Sequence, residues 1–456
     1  MKIFPFLFLL VSVAATAGNR YTYGAVSGGV TLQPNSSSPA LVAGDTLDIQ
    51  STAVFDAVSF DRLSGSAGKY IVIRFLPGSL VTTRNAGYRG VWTNCRFVKV
   101  LGLTSHNYAG TPVLFSYFVH DVVFSNCRFV NDYGVYPDKQ CMLFDDKNRD
   151  EMNFNGSKQT TFYNIEIAHC VFNGFKETNV ITMGSDGIRS ICTDFNIHHN
   201  VFKNITNYAH IAPIYIEGTC FNFHIHHNKV DSIMYDAGAY RGVHVGGIST
   251  FGWGEIDHNI FGYQYCNGVR INPLKWNGLD GSYGGDKAKL LIHDNIDHHH
   301  ISYSSYEISN NNSTPRIKAL QLDTAATEIY NNTTYSTKRD SYNGDYRGYQ
   351  VDLLAHNVKV YNNVIINPEW DRTFDPIERD NYSVAFISGR QPGFDSSHNY
   401  LFRTATAAGL DTINWKLLPG SPLGLLKSNA SLTSTTDFYD VKRPGGVANT
   451  PGAIQR

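Results

Sequence analysis

Short runs of alternating apolar and polar residues recur along the chain on one frame. That frame is an apolar residue, two mostly polar residues, a turn residue, any residue, and usually another apolar one. "FNIHHNVFKN" from Phe195 and "FHIHHNKVDS" from Phe223 are two copies. The turn positions are Cys95, Cys127, Cys170, Asn200, Asn228, Asn259, Asn295, Asn332, Asn363 and Asn399, spaced from 28 residues (Asn200 to Asn228) to 43 (Cys127 to Cys170). Alternation with period 2 on both sides predicts short strands, and the Asn between them suits a left-handed bend, which Asn tolerates better than most residues. A unit of roughly 30 residues without helical periodicity or tight hairpin signals predicts a solenoid coil, one turn of chain per repeat.

A second apolar-x-apolar strand aligns across coils: "ITMGS" from Ile181, "IYIEG" from Ile214, "VHVGG" from Val243, "VRINP" from Val269, "LQLDT" from Leu320 and "YQVDL" from Tyr349. With three short strands per coil the chain resembles the pectin-lyase-like superfamily of secreted proteins. The resemblance implies an all-β fold, a right-handed parallel β-helix of about ten coils. "LVAGDTLDIQ" from Leu41 resembles the first-coil motif of that superfamily, and "LLPGSPL" from Leu417 with the residues after it resembles its closing segment. Residues 18–456 are therefore expected to form one domain. A shared fold of this kind does not fix a reaction.

The first 17 residues carry one Lys2, an apolar run from Ile3 to Val13, and Ala15-Thr16-Ala17 before Gly18. This predicts a secretory signal peptide, too short to span a bilayer, and an exported protein. Formal charge is −1, so no field favours nucleic acid or an anionic membrane. Seven cysteines at repeat-like intervals, none in a CxxC pair, argue against a disulfide framework and a zinc ribbon. The 27 Tyr, 27 Phe and 5 Trp suit either a β-rich core or a sugar-binding surface.

Adjacent coils of a parallel stack lie about 4.8 Å apart. His199, His227 and His258 should then stack, preceded by His169 and followed by Asp294, Asn331 and Asn362. Replacement of His by Asp and Asn along one column is what corner hydrogen bonding permits, whereas zinc needs ligands that converge tetrahedrally. The column therefore reads as architecture.

Chemistry is expected on the second strand set. Its outward columns read Thr182, Tyr215, His244, Arg270, Gln321, Gln350 and Gly184, Glu217, Gly246, Asn272, Asp323, Asp352. An acid, an imidazole and a guanidinium would sit on consecutive coils, so Tyr215, Glu217, His244 and Arg270 are the candidate catalytic residues. Flanking loops add Asp236, Tyr240, Arg241, Lys275 and Trp276 as candidate substrate contacts. A polysaccharide lyase needs a base for the uronate C5 proton and a cation for the developing enolate. A glycoside hydrolase needs two carboxyl groups, for which Asp323 and Asp352 are candidates. The same two aspartates, stacked as like charges, could hold Ca²⁺. The expected partner is a polysaccharide substrate or, for a non-catalytic surface protein, a glycan ligand.

Overall fold

A computed structural model describes residues 18–23, 29–32, 40–50, 54–55, 57–82, 89–106, 110–131, 141–144, 162–175, 180–183, 191–207, 212–235, 248–264, 268–276, 288–300, 304–308, 322–336, 348–351, 358–366, 384–386, 395–402, 404–425, 436–443 and 452–453. The predicted signal peptide lies outside them.

One coil shows how the chain is wound. Ile191–His198 runs along a first sheet, turns at His199-Asn200, and continues as Val201–Asn207 in a second sheet. It then enters a third sheet at Ile214–Ile216, and the same strand, Ile214–His226, bends over into the first sheet of the next coil. Every rung pairs in parallel with its neighbours: Ile197 with Ile167 and Ile225 in the first sheet, Phe202 with Phe172 and Val230 in the second. Among the described residues the second sheet has 12 strands, and its first three rungs, Val54–Phe55, Leu80–Val81 and Thr104–His106, follow none of the predicted turn residues. The winding is the right-handed one that parallel crossovers adopt in about 98% of cases.

The apolar column three residues before the turn is fully buried, from Phe124, Ile167 and Ile197 through Ile225, Ile256, Ile292 and Ile329 to Val360. Two residues after the turn, Phe129, Phe172 and Phe202 stack ring on ring at 5.3 and 4.7 Å with planes within 7°. Identical side chains in register fill the interior without the jigsaw of sizes that a globular core requires.

The turn itself differs from expectation in one respect. The left-handed residue is the one before the Asn: φ is 56° at His169, 55° at His199, 53° at His227 and His258, 51° at Asp294, 54° at Asn331 and 56° at Asn362. That geometry points the following Asn inward, where it becomes a rung of a buried ladder. Each ladder Asn donates from Nδ2 to the Oδ1 of the next: Asn200 to Asn228, then Asn259, Asn295, Asn332, Asn363 and Asn399, at 2.9 to 3.1 Å. The same Oδ1 accepts the backbone N–H of the Asn below, and Nδ2 also reaches a carbonyl one coil away, as from Asn228 to Ile197 at 2.8 Å. Each side chain thereby satisfies buried groups that the corner would leave orphaned. Cys170 and Cys127 extend the column as thiols, with Cys170 N–H donating to Asn200 Oδ1 at 2.8 Å. Cys95 does not belong to it. Arg128 N–H donates to Leu103 O where Val171 N–H donates to Cys127 O, so Leu103 occupies the next rung and Cys95 lies at the corner between the third and first sheets. All six described cysteines are buried and free, with burial pushing the Cys95 thiol up to about 12.

The closing segment docks on this same corner. Arg443 is 3% exposed; it donates to Asp294 Oδ1 at 2.6 Å and to the carbonyls of Thr436 and Gly452 at 2.9 Å. Gly452 N–H donates to Asn362 O at 2.7 Å.

Candidate functional site

The third sheet is the strand set on which chemistry is expected, but its register differs from the predicted one. Its rungs run Ile181–Met183, Ile214–Ile216, Ile248–Thr250, Val269–Ile271, Tyr306–Ile308, Tyr349–Val351 and Val384–Phe386. The spacing predicts Val243–Val245 after Ile214–Ile216, but Ile248–Thr250 takes that place. It predicts Leu320–Leu322 after Val269–Ile271, but Tyr306–Ile308 does. Apolar-x-apolar triplets are common in a β-rich chain, and only pairing selects among them.

The central positions of the rungs are then Thr182, Tyr215, Ser249, Arg270, Glu307, Gln350 and Ala385. Tyr215 is half-buried, whereas Thr182, expected to face outward, is 3% exposed. Glu217 falls in a register shift between Ile216 and Thr219 and has no rung partner. Lys275 and Trp276 end the strand Val269–Trp276, whose last residues pair antiparallel with Leu322–Thr324, setting Lys275 opposite Asp323. Asp323 is therefore not a rung of the parallel stack, which removes the register basis for pairing it with Asp352 as two carboxylates or as a Ca²⁺ site. Asp236, Tyr240, Arg241, His244 and Asp352 lie outside the described residues.

The first sheet carries a second polar face that the spacing assigns to architecture alone. Its last outward positions on successive coils are Ala168, His198, His226, Asp257, His293, Tyr330 and Tyr361, each before a left-handed residue. As expected, His199 stacks on His227 at 4.8 Å with planes 2° apart, and His227 on His258 at 4.8 Å. Beside them His198 stacks on His226 at 4.9 Å and His224 on His226 at 3.9 Å.

Carboxylates are threaded through these rings. Glu166 accepts from His198 Nε2 at 3.3 Å, and Asp440 of the closing segment accepts from His227 Nε2 at 3.1 Å. Asp257 is held between His224 Nε2 at 2.6 Å and His258 Nδ1 at 2.5 Å. His293 lies between Glu255 at 2.6 Å and Asp294 at 2.9 Å. Burial alone would lower His293, but the carboxylates of Asp294 and Glu255 outweigh it and push the imidazole up to about 10. The hydrogen bond from His198 holds Glu166 below the usual carboxylate range. His226 goes the other way: burial and then the neighbouring His224 push it down to about 3, so it is neutral at every physiological pH. The paired "HHN" motifs were the signal for this face. What sequence spacing lacks is the arrangement of side chains within a coil, where the rings converge.

Among the described residues no helix is long and apolar enough to cross a membrane. No protein-family model matches the chain, and no curated protein does. Solved structures do. The Streptococcus pneumoniae surface protein and adhesin PfbA aligns at 12% identity over 85% of this chain and 90% of its own, with a TM-score of 0.45. XylC, solved with xylose, aligns at 10% identity over 91% and 93%, with a TM-score of 0.46. The PL6 family polysaccharide lyase Pedsa3628 from Pseudopedobacter saltans aligns at 11% identity over 93% and 99%, with a TM-score of 0.40. Likeness at this level does not carry an activity across. Parallel strands wound coil by coil, with a ladder of asparagines at one corner, give the chain a right-handed parallel β-helix architecture.

Proposed function

We propose that the protein is an exported enzyme acting on an acidic polysaccharide laid along the third sheet, by β-elimination at a uronate. The observation that supports this most is the column Tyr215, Ser249, Arg270, Glu307 and Gln350 on five successive rungs, with Lys275 at the end of the Arg270 strand. Successive rungs about 4.8 Å apart offer a polar track whose repeat is close to the length of one sugar unit.

Elimination breaks the C5–H and C4–O bonds and forms a C4=C5 double bond, with a proton delivered to the departing O4. Arg270 and Lys275 are the cations proposed to neutralise the carboxylate and stabilise the enolate. His244, four residues before the Ile248–Thr250 rung that separates Tyr215 from Arg270, is the proposed base; Tyr215 is the proposed proton donor to O4. Glu217 is the proposed orienting carboxylate. Asp236, Tyr240, Arg241 and Trp276 are the proposed sugar contacts.

Uronate-rich polysaccharides are the substrates to screen, with ultraviolet absorbance of the unsaturated product as readout. Turnover should fall at least ~100-fold in His244→Ala and Arg270→Ala. New reducing ends without that absorbance would replace the lyase with a hydrolase. Binding without turnover, indifferent to both substitutions, would make the protein a glycan-binding β-helix.

A further inference from the structure

In the first sheet the two residues before Asn200, Asn228, Asn259 and Asn295 turn their side chains toward one another, and the coils differ in what meets. Asp257 Oδ2 meets His258 Nδ1 at 2.5 Å, and His293 Nδ1 meets Asp294 Oδ2 at 2.9 Å. A carboxylate and an imidazole satisfy each other. In the two preceding coils both partners are imidazoles: His198 Nδ1 lies 2.9 Å from His199 Nδ1, and His226 Nδ1 lies 2.8 Å from His227 Nδ1.

The far side of each ring decides what those nitrogens are. His227 Nε2 faces the Asp440 carboxylate at 3.1 Å, and His226 Nε2 faces Asn196 Oδ1 at 3.0 Å. Both oxygens accept, so each Nε2 is a donor, and the neutral tautomer that this selects leaves each Nδ1 its lone pair. In that tautomer two lone pairs converge at 2.8 Å, a contact that a shared cation relieves. An acceptor behind each ligand ring is the arrangement that orients histidines toward a metal ion.

We infer that His226 and His227, through their Nδ1 atoms, and His199 of the preceding coil bind one divalent transition-metal ion of the zinc class. Ligand nitrogens of these three residues lie within 4.8 Å of one another. Zinc bound at about 2.0–2.1 Å in tetrahedral geometry sets its ligands about 3.3 Å apart, so the His226–His227 pair opens by roughly half an ångström. His199 supplies the larger movement. It is exposed and stacked parallel to His227, and rotation about its side-chain bonds brings its ring nitrogen inward. His199 also belongs to a cluster with His169 and His198, so these two clusters compete for one imidazole and hold one ion between them; in the third group, His224, Glu255 and Asp257, Asp257 is already held by His224 and His258. The stacked column by itself is too flat to chelate, but the His226–His227 pair within one coil supplies converging nitrogens that His199 can join.

The test uses the full exported chain, stripped with a chelator and titrated with zinc chloride by calorimetry and with Co²⁺ by visible absorption. The variants are His199→Asn and His227→Asn, singly and together, with His120→Asn as control. Asn occupies the same left-handed position in two other coils, at Asn331 (φ 54°) and Asn362 (φ 56°), so the backbone is preserved and ligation is not. We expect one saturable site, a Co²⁺ ligand-field band, and a zinc-dependent rise in melting temperature in the parent and the control, all lost in the double variant. Absence of saturable uptake by the parent, meaning that the nitrogens share only a proton, would overturn the inference. So would unchanged uptake by a folded double variant.

Discussion

Replacing Asn295 by Ala tests the ladder at its centre. The side chain is fully buried. It donates to Ile256 O and His293 O at 2.9 Å and to Asn332 Oδ1 at 3.0 Å, and it accepts from Asn259 N at 2.9 Å and Asn259 Nδ2 at 3.0 Å. Asn259 Nδ2 keeps two other acceptors, Ile225 O and Asp257 O, so the group orphaned by the substitution is the Asn259 backbone N–H. An orphaned buried donor costs about 1–3 kcal/mol, and the lost bonds contribute about 0.5–1.5 kcal/mol each in net terms. Taken near the lower end of both ranges, one orphaned donor and five lost bonds give an expected loss of about 3.5–5 kcal/mol, large for a single substitution. Asn399→Ala is the internal control. It removes the same acceptor from Asn363 N–H, 3.1 Å away, but at a half-buried end rung where water can replace it, so about 1–2 kcal/mol is expected. Urea denaturation followed by far-ultraviolet circular dichroism gives both values. A loss under about 1 kcal/mol for Asn295→Ala, or one no larger than for Asn399→Ala, would refute the view that the ladder holds the corner through satisfied buried groups.

Two further outcomes follow from the ends of the helix. Arg443→Met takes the 2.6 Å cation from Asp294, which is fully buried but keeps His293 at 2.9 Å, and should cost about 1.5–3 kcal/mol; adding Asp294→Asn, which restores the residue type of neighbouring coils, should recover part of it in a thermal melt. At the other end the Arg74 hydrogen bond, ahead of the opposing cost of burial and aided by Arg20, holds Asp48 below the usual carboxylate range. A carboxylate depressed by folding stabilises above its unfolded value and loses that contribution as pH falls through the folded one. Below about pH 4 the melting temperature should therefore fall more steeply in the parent than in Asp48→Asn. Equal slopes would remove the ion pairs from the account.

The sequence alone determined the coil. Ile197, Asn200 and Phe202 recur because a parallel stack places identical positions over one another, so each column must suit its own neighbours and the pattern survives in one dimension. The stacking of His199, His227 and His258 was legible for the same reason. Tertiary structure decided what pairing decides. Ile248–Thr250 and Tyr306–Ile308 displaced Val243–Val245 and Leu320–Leu322 because triplets of the same composition compete and only hydrogen-bonded register selects one. It moved the left-handed bend from Asn200 to His199, since an inward Asn satisfies more buried groups than one spent on the turn. It also turned His226 toward His227 and set Asp440 behind the pair, a contact 213 residues long that no local spacing encodes.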